Sequence, residues 1–119
     1  MKVAHIEDNK VIRRLVCEAL KETEFDYIGF RTAEEALDTI RGGVDVLLLD
    51  LKLTGKMQGR DLLDLLEKEG VKVKVIPLTA APGETKGDLR KDYPELVVET
   101  LFKPFEPDEL LKIMQRALE

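Results

Sequence analysis

The chain has 119 residues, 44% of them hydrophobic and 36% charged, which fits one ordinary domain over residues 1–119 and excludes the low-hydrophobicity composition of disordered chains. A formal net charge of -5 leaves no basic excess to neutralise a phosphate backbone, which argues against direct nucleic-acid binding. The single cysteine, Cys17, has no partner for a disulfide or a zinc cluster, and the apolar stretch before Glu7 and Asp8 is too short for a signal peptide or a membrane span, so a cytoplasmic protein with no membrane association is expected.

Val3 to Ile6 is a short apolar run that stops at Glu7, Asp8 and Asn9, as a buried strand does on reaching a polar loop. Val11, Ile12, Leu15, Val16, Ala19 and Leu20 then recur at helical spacing and predict an amphipathic helix over 9–22. Phe25 to Phe30 suits a second strand. Thr32 followed by Glu35 forms a capping-box pattern that opens a helix with Ala33, Ala36, Leu37 and Ile40 inward, and Gly42 and Gly43 close it. Val44 to Leu49 is almost wholly apolar, the pattern of a central parallel strand covered on both faces, and it ends in Asp50.

A polar loop with Gly55 and Gly59 leads to a helix carrying Leu62, Leu63, Leu65 and Leu66, with Gly70 as its stop. Val71 to Leu78 predicts the fourth strand, ending at Thr79 and Ala80. Pro82 and Gly83 begin a loose helical stretch to Tyr93, Leu96 to Phe102 reads as the fifth strand, and Pro107 starts the last helix. Pro77 is an irregularity, because proline inside a strand removes a ladder donor. Five strands alternating with five helices over short connections predict an α/β fold, a doubly wound five-stranded parallel sheet with right-handed crossovers.

In such sheets ligands bind beyond the carboxyl ends of the strands. The polar residues there are Glu7 and Asp8 after the first strand, Asp50 after the third, Thr79 after the fourth and Lys103 after the fifth. Three carboxylates at one edge repel each other and persist at neutral pH most simply when a hard cation such as Mg2+ shares them. A lysine opposite them, with a hydroxyl between, supplies what a transferring phosphoryl group needs, with a carboxylate as nucleophile.

Four segments carry a resemblance: Ile-Glu-Asp-Asn at 6–9, Leu-Leu-Leu-Asp at 47–50, Leu-Thr-Ala at 78–80 and Lys-Pro-Phe at 103–105. Each is weak alone, but in this order, each at a predicted strand end, they are specific. Over nearly its whole length the chain resembles the receiver domains of two-component response regulators. The resemblance implies a flavodoxin-like sheet of order 2-1-3-4-5. It implies that Glu7, Asp8, Asp50 and the Lys52 carbonyl hold Mg2+, that Asp50 is the phosphoacceptor, and that Thr79, the Ala80 amide and Lys103 contact phosphoryl oxygens. A cis peptide bond between Lys103 and Pro104 is implied as well, and Lys52 and Ala81 occupy positions that tune hydrolysis of the acyl phosphate. The implied partners are a sensor histidine kinase or histidine phosphotransfer protein, and a downstream effector or fused output domain; a phosphorylation-dependent homodimer is a further expectation.

The chain departs from the family pattern in three places. Leu53 and Thr54 replace the usual methionine and proline, and Gly59 sits one residue late, which predicts a reshaped loop after Asp50. Extra length around Asp92 to Glu95 points to a remodelled fourth helix. Thr100 stands where many members place an aromatic switch residue, and Phe102 is expected to face the wrong way to replace it.

Simpler roles compete for single residues: Asp8 or Asn9 as a helix cap, Lys103 as a solvated lysine, and Cys17 as core filler. His5, within the first strand, is expected to be a packed, hydrogen-bonded core histidine rather than a ligand. Two other function classes follow from the same residues. A constitutive interaction module without phosphorylation would lack an acid or the lysine, and none is missing, while Thr100 at the switch position keeps that alternative open. A phosphatase with an aspartate nucleophile usually needs a second aspartate two residues on, and Lys52 stands there.

Overall fold

A computed structural model describes residues 1–80 and 88–119. The elements are β1 (Lys2–Ile6), α1 (Lys10–Leu20), β2 (Asp26–Phe30), α2 (Ala33–Gly42), β3 (Val46–Asp50), α3 (Gly59–Glu69), β4 (Lys74–Thr79), α4 (Leu89–Asp92), β5 (Leu101–Phe102) and α5 (Pro107–Ala117). The strands form one sheet of order β2-β1-β3-β4-β5 with every pairing parallel, the doubly wound flavodoxin-like topology.

The central strand β3 is buried along its whole length, because a parallel sheet wound on both sides covers both faces of its middle strands. Successive side chains alternate between two cores. Ala4, Ile6, Leu47, Leu49 and Val75 pack with α2, α3 and Tyr93; Val3, Val46, Leu48, Ile76, Leu78 and Leu101 pack with α1 and α5.

Helix ends follow the sequence signals. Asn9 caps α1, its side chain accepting from Val11 N at 2.8 Å and Ile12 N at 3.3 Å; Asn9, not Asp8, is therefore the cap. Thr32 accepts from Glu35 N at 3.2 Å to open α2, while the Glu35 carboxylate turns to Arg31, 3.7 Å away. Gly70, in the left-handed region at φ 68, ends α3.

Boundaries and faces differ from the sequence reading at β4 and on α1. β4 begins at Lys74 rather than Val71, because Val71 N–H donates to Leu66 O and completes the end of α3. The helix expected from Pro82 to Tyr93 is described only as α4, Leu89–Asp92; residues 81–87, Ala81 among them, lie outside the described part. Arg60 pairs with Asp92 at 3.1 Å and Asp64 accepts from the Tyr93 hydroxyl, tying α3 to α4. On α1, Val16 and Leu20 are buried, but Val11 and Leu15 are 66% and 63% exposed and Cys17 is only half-buried. At 100° per residue the helix has more apolar positions than one sheet-facing stripe can absorb, and the surplus stands outside.

β5 is also shorter than the predicted 96–102. Val97 makes an isolated bridge to Val75, and the regular ladder resumes only at Leu101 and Phe102. Val75 uses both its N–H and its C=O toward this strand, and Thr79 C=O accepts from Lys103 N. Pro77, midway between them, has the same edge and no N–H to offer. Between the Val75–Val97 and Thr79–Phe102 pairs, β5 carries one residue more than β4, so the chain bulges opposite the proline.

Candidate functional site at the carboxyl edge of the sheet

The strand register sets the site. Ile6 lies level with Leu49, and Asp50 with Leu78, so Glu7 follows β1 at the level where β3 ends in Asp50. Thr79 is level with Phe102, which places Lys103 just beyond. Four residues far apart in sequence, Glu7, Asp50, Thr79 and Lys103, thus meet at one edge.

Glu7, Asp8 and Asp50 bring carboxylate oxygens within 4.8 Å of one another. Glu7 and Asp50 are buried, at 1% and 6% exposure, yet each is held. Glu7 Oε1 accepts from Lys103 Nζ at 2.9 Å and Oε2 from Asn9 N at 3.3 Å. Asp50 Oδ2 lies 3.3 Å from Lys103 Nζ, and Oδ1 accepts from Lys52 N at 3.2 Å. Arg13 of α1 donates to Glu7 O at 2.6 Å and fixes the turn out of β1.

The electrostatics follow from this crowding. Burial, together with the hydrogen bond and charge of Glu7, raises the Asp8 carboxyl above its ordinary value, so its ionised form is resisted. Burial works against the charge on Lys103, but its hydrogen bond to Glu7 and the Asp50 charge outweigh it and hold the ammonium above its ordinary value. The edge therefore combines excess negative charge with one fixed cation. Its donors are all hard carboxylate oxygens of the kind Mg2+ takes, so the residues present fit that ion.

Thr79 is buried at the end of β4, and Ala80 lines a groove together with Lys103. The Lys103–Pro104 bond is cis, as the resemblance implied. Lys52 is exposed, its backbone turned onto Asp50 through the bond already noted. His5 is fully buried with Nδ1 2.7 Å from the Tyr27 hydroxyl. Burial, then the charges of Lys103 and Arg13, lower its pKa to about 3, so it is a neutral core residue. Phe102 corrects the sequence reading: it pairs directly with Thr79, so the two side chains share a face, and it is 47% exposed. Phe102, not Lys103, is the residue level with Thr79.

Two features were missed. The loop after Asp50 is tied by Glu34, whose Oε1 accepts from Met57 N at 2.6 Å, and by Gln58, whose side-chain amide pairs with Leu53. Neither a charged residue in the first turn of α2 nor a glutamine in a polar loop carries a sequence mark of such a role. The second is an apolar groove of about 610 Å³ between α1 and the start of α5, lined by Ile12, Leu15, Ala19, Lys103, Pro104 and Phe105 among others. Its signal was the surplus of apolar positions on α1.

The response regulator receiver domain family matches over residues 3–115. No curated protein matches the chain significantly. Among solved structures, the chain is similar to the signal receiver domain of a candidate Luxo repressor protein from Vibrio parahaemolyticus, with 27% identity, 98% of this chain and 88% of that one covered, and a TM-score of 0.85. It is similar to the receiver domain of the Francisella response regulator 1452, with 25% identity, 98% and 95% coverage and a TM-score of 0.83. It also matches part of NtrX from Brucella abortus, with 25% identity and a TM-score of 0.82, where 98% of this chain corresponds to 26% of that one.

Proposed function

The chain belongs to the response regulator receiver domain family, and on that premise we propose that Asp50 accepts a phosphoryl group from a phosphohistidine and that the acyl phosphate switches a protein-binding surface. The observation that carries this reading is the placement of Asp50: buried at a strand end, within 4.8 Å of two other acids and 3.3 Å from Lys103.

In the proposed step a carboxylate oxygen of Asp50 supplies the electron pair of the new O–P bond. The N–P bond of the donor breaks, its electrons return to the imidazole nitrogen, and solvent protonates that nitrogen. Water later cleaves the acyl phosphate to Asp50 and inorganic phosphate. Glu7, Asp8, Asp50 and the Lys52 carbonyl would hold Mg2+, which when bound neutralises charge on the phosphoryl oxygens. Lys103 is already poised beside Asp50 to pair with one such oxygen, and Thr79 and the Ala80 amide serve the others. The Lys52 N–H orients the Asp50 carboxylate. Lys52 and Ala81 are the positions at which hydrolysis would be tuned.

The donor, a sensor histidine kinase or histidine phosphotransfer protein, must cover the Asp50 end of the sheet to deliver its phosphoryl group. The exposed Val11 and Leu15 and the apolar groove beside Lys103 and Ala80 suit that docking. Output passes to an effector protein or a fused output domain, with phosphorylation-dependent dimerisation as one form of it. A cytoplasmic setting accords with this chemistry, and among the described residues no helix is long and apolar enough to cross a membrane. No observation favours an interaction module without phosphorylation, since the acids and the lysine come together.

The test is to incubate the protein with a small-molecule phosphodonor, with and without Mg2+, and to follow intact mass for the wild type and Asp50→Ala. One phosphoryl group gained only with the metal, and lost in the variant, supports the reading. No transfer to the folded wild type from either that donor or a phosphorylated kinase refutes it.

A further inference from the structure

The chain between Asp50 and α3 has no strand or helix to satisfy its backbone, so its polar groups must find other partners. Three ties organise it. Gly59 packs directly on Leu51, where an added Cβ would come within 3.1 Å of the Leu51 Cα. Glu34 holds Met57 N–H from α2. Gln58 holds Leu53 on both sides: Oε1 accepts from Leu53 N at 3.0 Å and Nε2 donates to Leu53 O at 2.7 Å, with Gly55 O also 3.4 Å from Nε2. A side-chain amide carries both an acceptor and donors, so Gln58 pairs with Leu53 as a neighbouring strand would.

The Leu53 N–H belongs to the same peptide unit as the Lys52 C=O. The one cis bond among the described residues is at Pro104, so this unit is trans, and in a planar trans unit the N–H and C=O point to opposite sides. Gripping the N–H therefore fixes the direction of the Lys52 carbonyl. The preceding unit is fixed as well, because Lys52 N donates to Asp50 Oδ1. Both peptide planes flanking Lys52 are thus held, one by the phosphoacceptor candidate and one by Gln58.

We propose that Gln58 is a positioning residue for the acidic cluster: by holding the Lys52–Leu53 peptide it aims the Lys52 carbonyl and sets the affinity of the site for a divalent cation. This rests on the metal reading of Glu7, Asp8 and Asp50. Gln58 stands at the start of α3, where its backbone N–H donates to Asp61 Oδ2 at 2.9 Å, and its side chain reaches back into the loop. The residue is exposed, so Met can stand there without overpacking the core while removing the amide.

The full chain is titrated with Mn2+, following the free ion by electron paramagnetic resonance, for the wild type, Gln58→Met and Glu34→Ala, with urea midpoints measured in the absence of metal. Outer ties to a metal ligand are typically worth tenfold or more in affinity, so Gln58→Met should bind Mn2+ roughly tenfold more weakly, with a urea midpoint that shows the variant still folded. Glu34→Ala loosens the same loop at Met57 without releasing the Lys52–Leu53 peptide and should bind close to wild type. Wild-type affinity in Gln58→Met, or equal weakening in both variants, overturns the assignment to Gln58 alone. A wild type that takes up no Mn2+ overturns the metal reading itself, and the role of Gln58 with it.

Discussion

Lys103 and Glu7, 96 positions apart in the chain, meet at 2.9 Å across the carboxyl edge of the sheet. The ammonium is nearer to this fully buried carboxylate than to Asp50, at 3.3 Å, so before any phosphoryl group arrives Lys103 serves as the counter-ion of the acidic cluster.

Replacing it exposes that service. In Lys103→Met the Glu7 carboxylate keeps the Asn9 N–H and loses its cation, and breaking a buried pair in this way costs about 3 kcal/mol. Urea denaturation without metal should show the loss, and Mg2+ should restore more stability to the variant than it adds to the wild type. The pH dependence has a definite sign. Because the folded protein holds the Lys103 proton more tightly than the unfolded chain does, its contribution is complete below the ordinary lysine range and is lost only as pH rises through the raised value. The variant should lack that alkaline loss. An unchanged metal-free midpoint would show that water alone suffices for Glu7.

Asp8→Asn should have opposite effects with and without metal. Burial and Glu7 raise the Asp8 carboxyl in the folded state, so the folded protein binds this proton more tightly than the unfolded chain. Stability from this group therefore falls as pH rises from the ordinary aspartate value through the raised one, and at neutral pH the ionised Asp8 is a net cost. Metal-free Asp8→Asn should thus have the higher urea midpoint at pH 7, with the difference vanishing below the ordinary aspartate value. With Mg2+ the order should reverse, because the wild type gains binding energy the variant has lost. A variant stabilised equally by Mg2+ would remove Asp8 from the ligand set.

The site was legible in sequence because its residues stand at strand ends, and strand ends in a parallel sheet are marked by abrupt changes from apolar to polar. Glu7, Asp8, Asp50, Thr79 and Lys103 each follow such a change. What periodicity could not resolve was competition for one edge or face. Val71 has the composition of a strand residue, but closing α3 claimed its N–H first. Leu96 to Phe102 reads as one strand, but the missing N–H of Pro77 and the bulge opposite it are properties of the pair β4 and β5. Glu34 acts through a single hydrogen bond to backbone and Gln58 through paired bonds to Leu53, contacts that leave no pattern in a chain read alone.

The exposed ridge on α1 separates docking from chemistry. Leu15 is 63% exposed and lines the groove beside Lys103, yet it contacts none of the acids in the hydrogen-bond network. Leu15→Glu should keep its fold, as exposed substitutions usually do, and should accept phosphoryl groups from a small-molecule donor at the wild-type rate. Transfer from a phosphorylated histidine kinase at subsaturating concentration should slow about tenfold, the effect of one buried interface anchor. Equal rates from the protein donor would place the docking surface elsewhere.

Phe102 is where a signal from Thr79 would leave the site. The two are cross-strand partners with side chains on one face, and neighbouring Leu101 is locked into the core against α1 and α5, so Phe102 is the residue on this short strand with freedom to respond. Thr100, where an aromatic would usually stand, is half-buried in the bulged segment and is not paired with Thr79. Phe102→Ala should therefore leave the yield of phosphorylation unchanged, because the acids and Lys103 do not depend on it. Amide chemical-shift changes on phosphorylation should persist around Asp50 and Thr79 in this variant and shrink over Val97 to Phe102. Full propagation in Phe102→Ala would assign transmission to the α3–α4 tie through Tyr93 and Asp64 instead, and Tyr93→Phe would then be the variant that interrupts it.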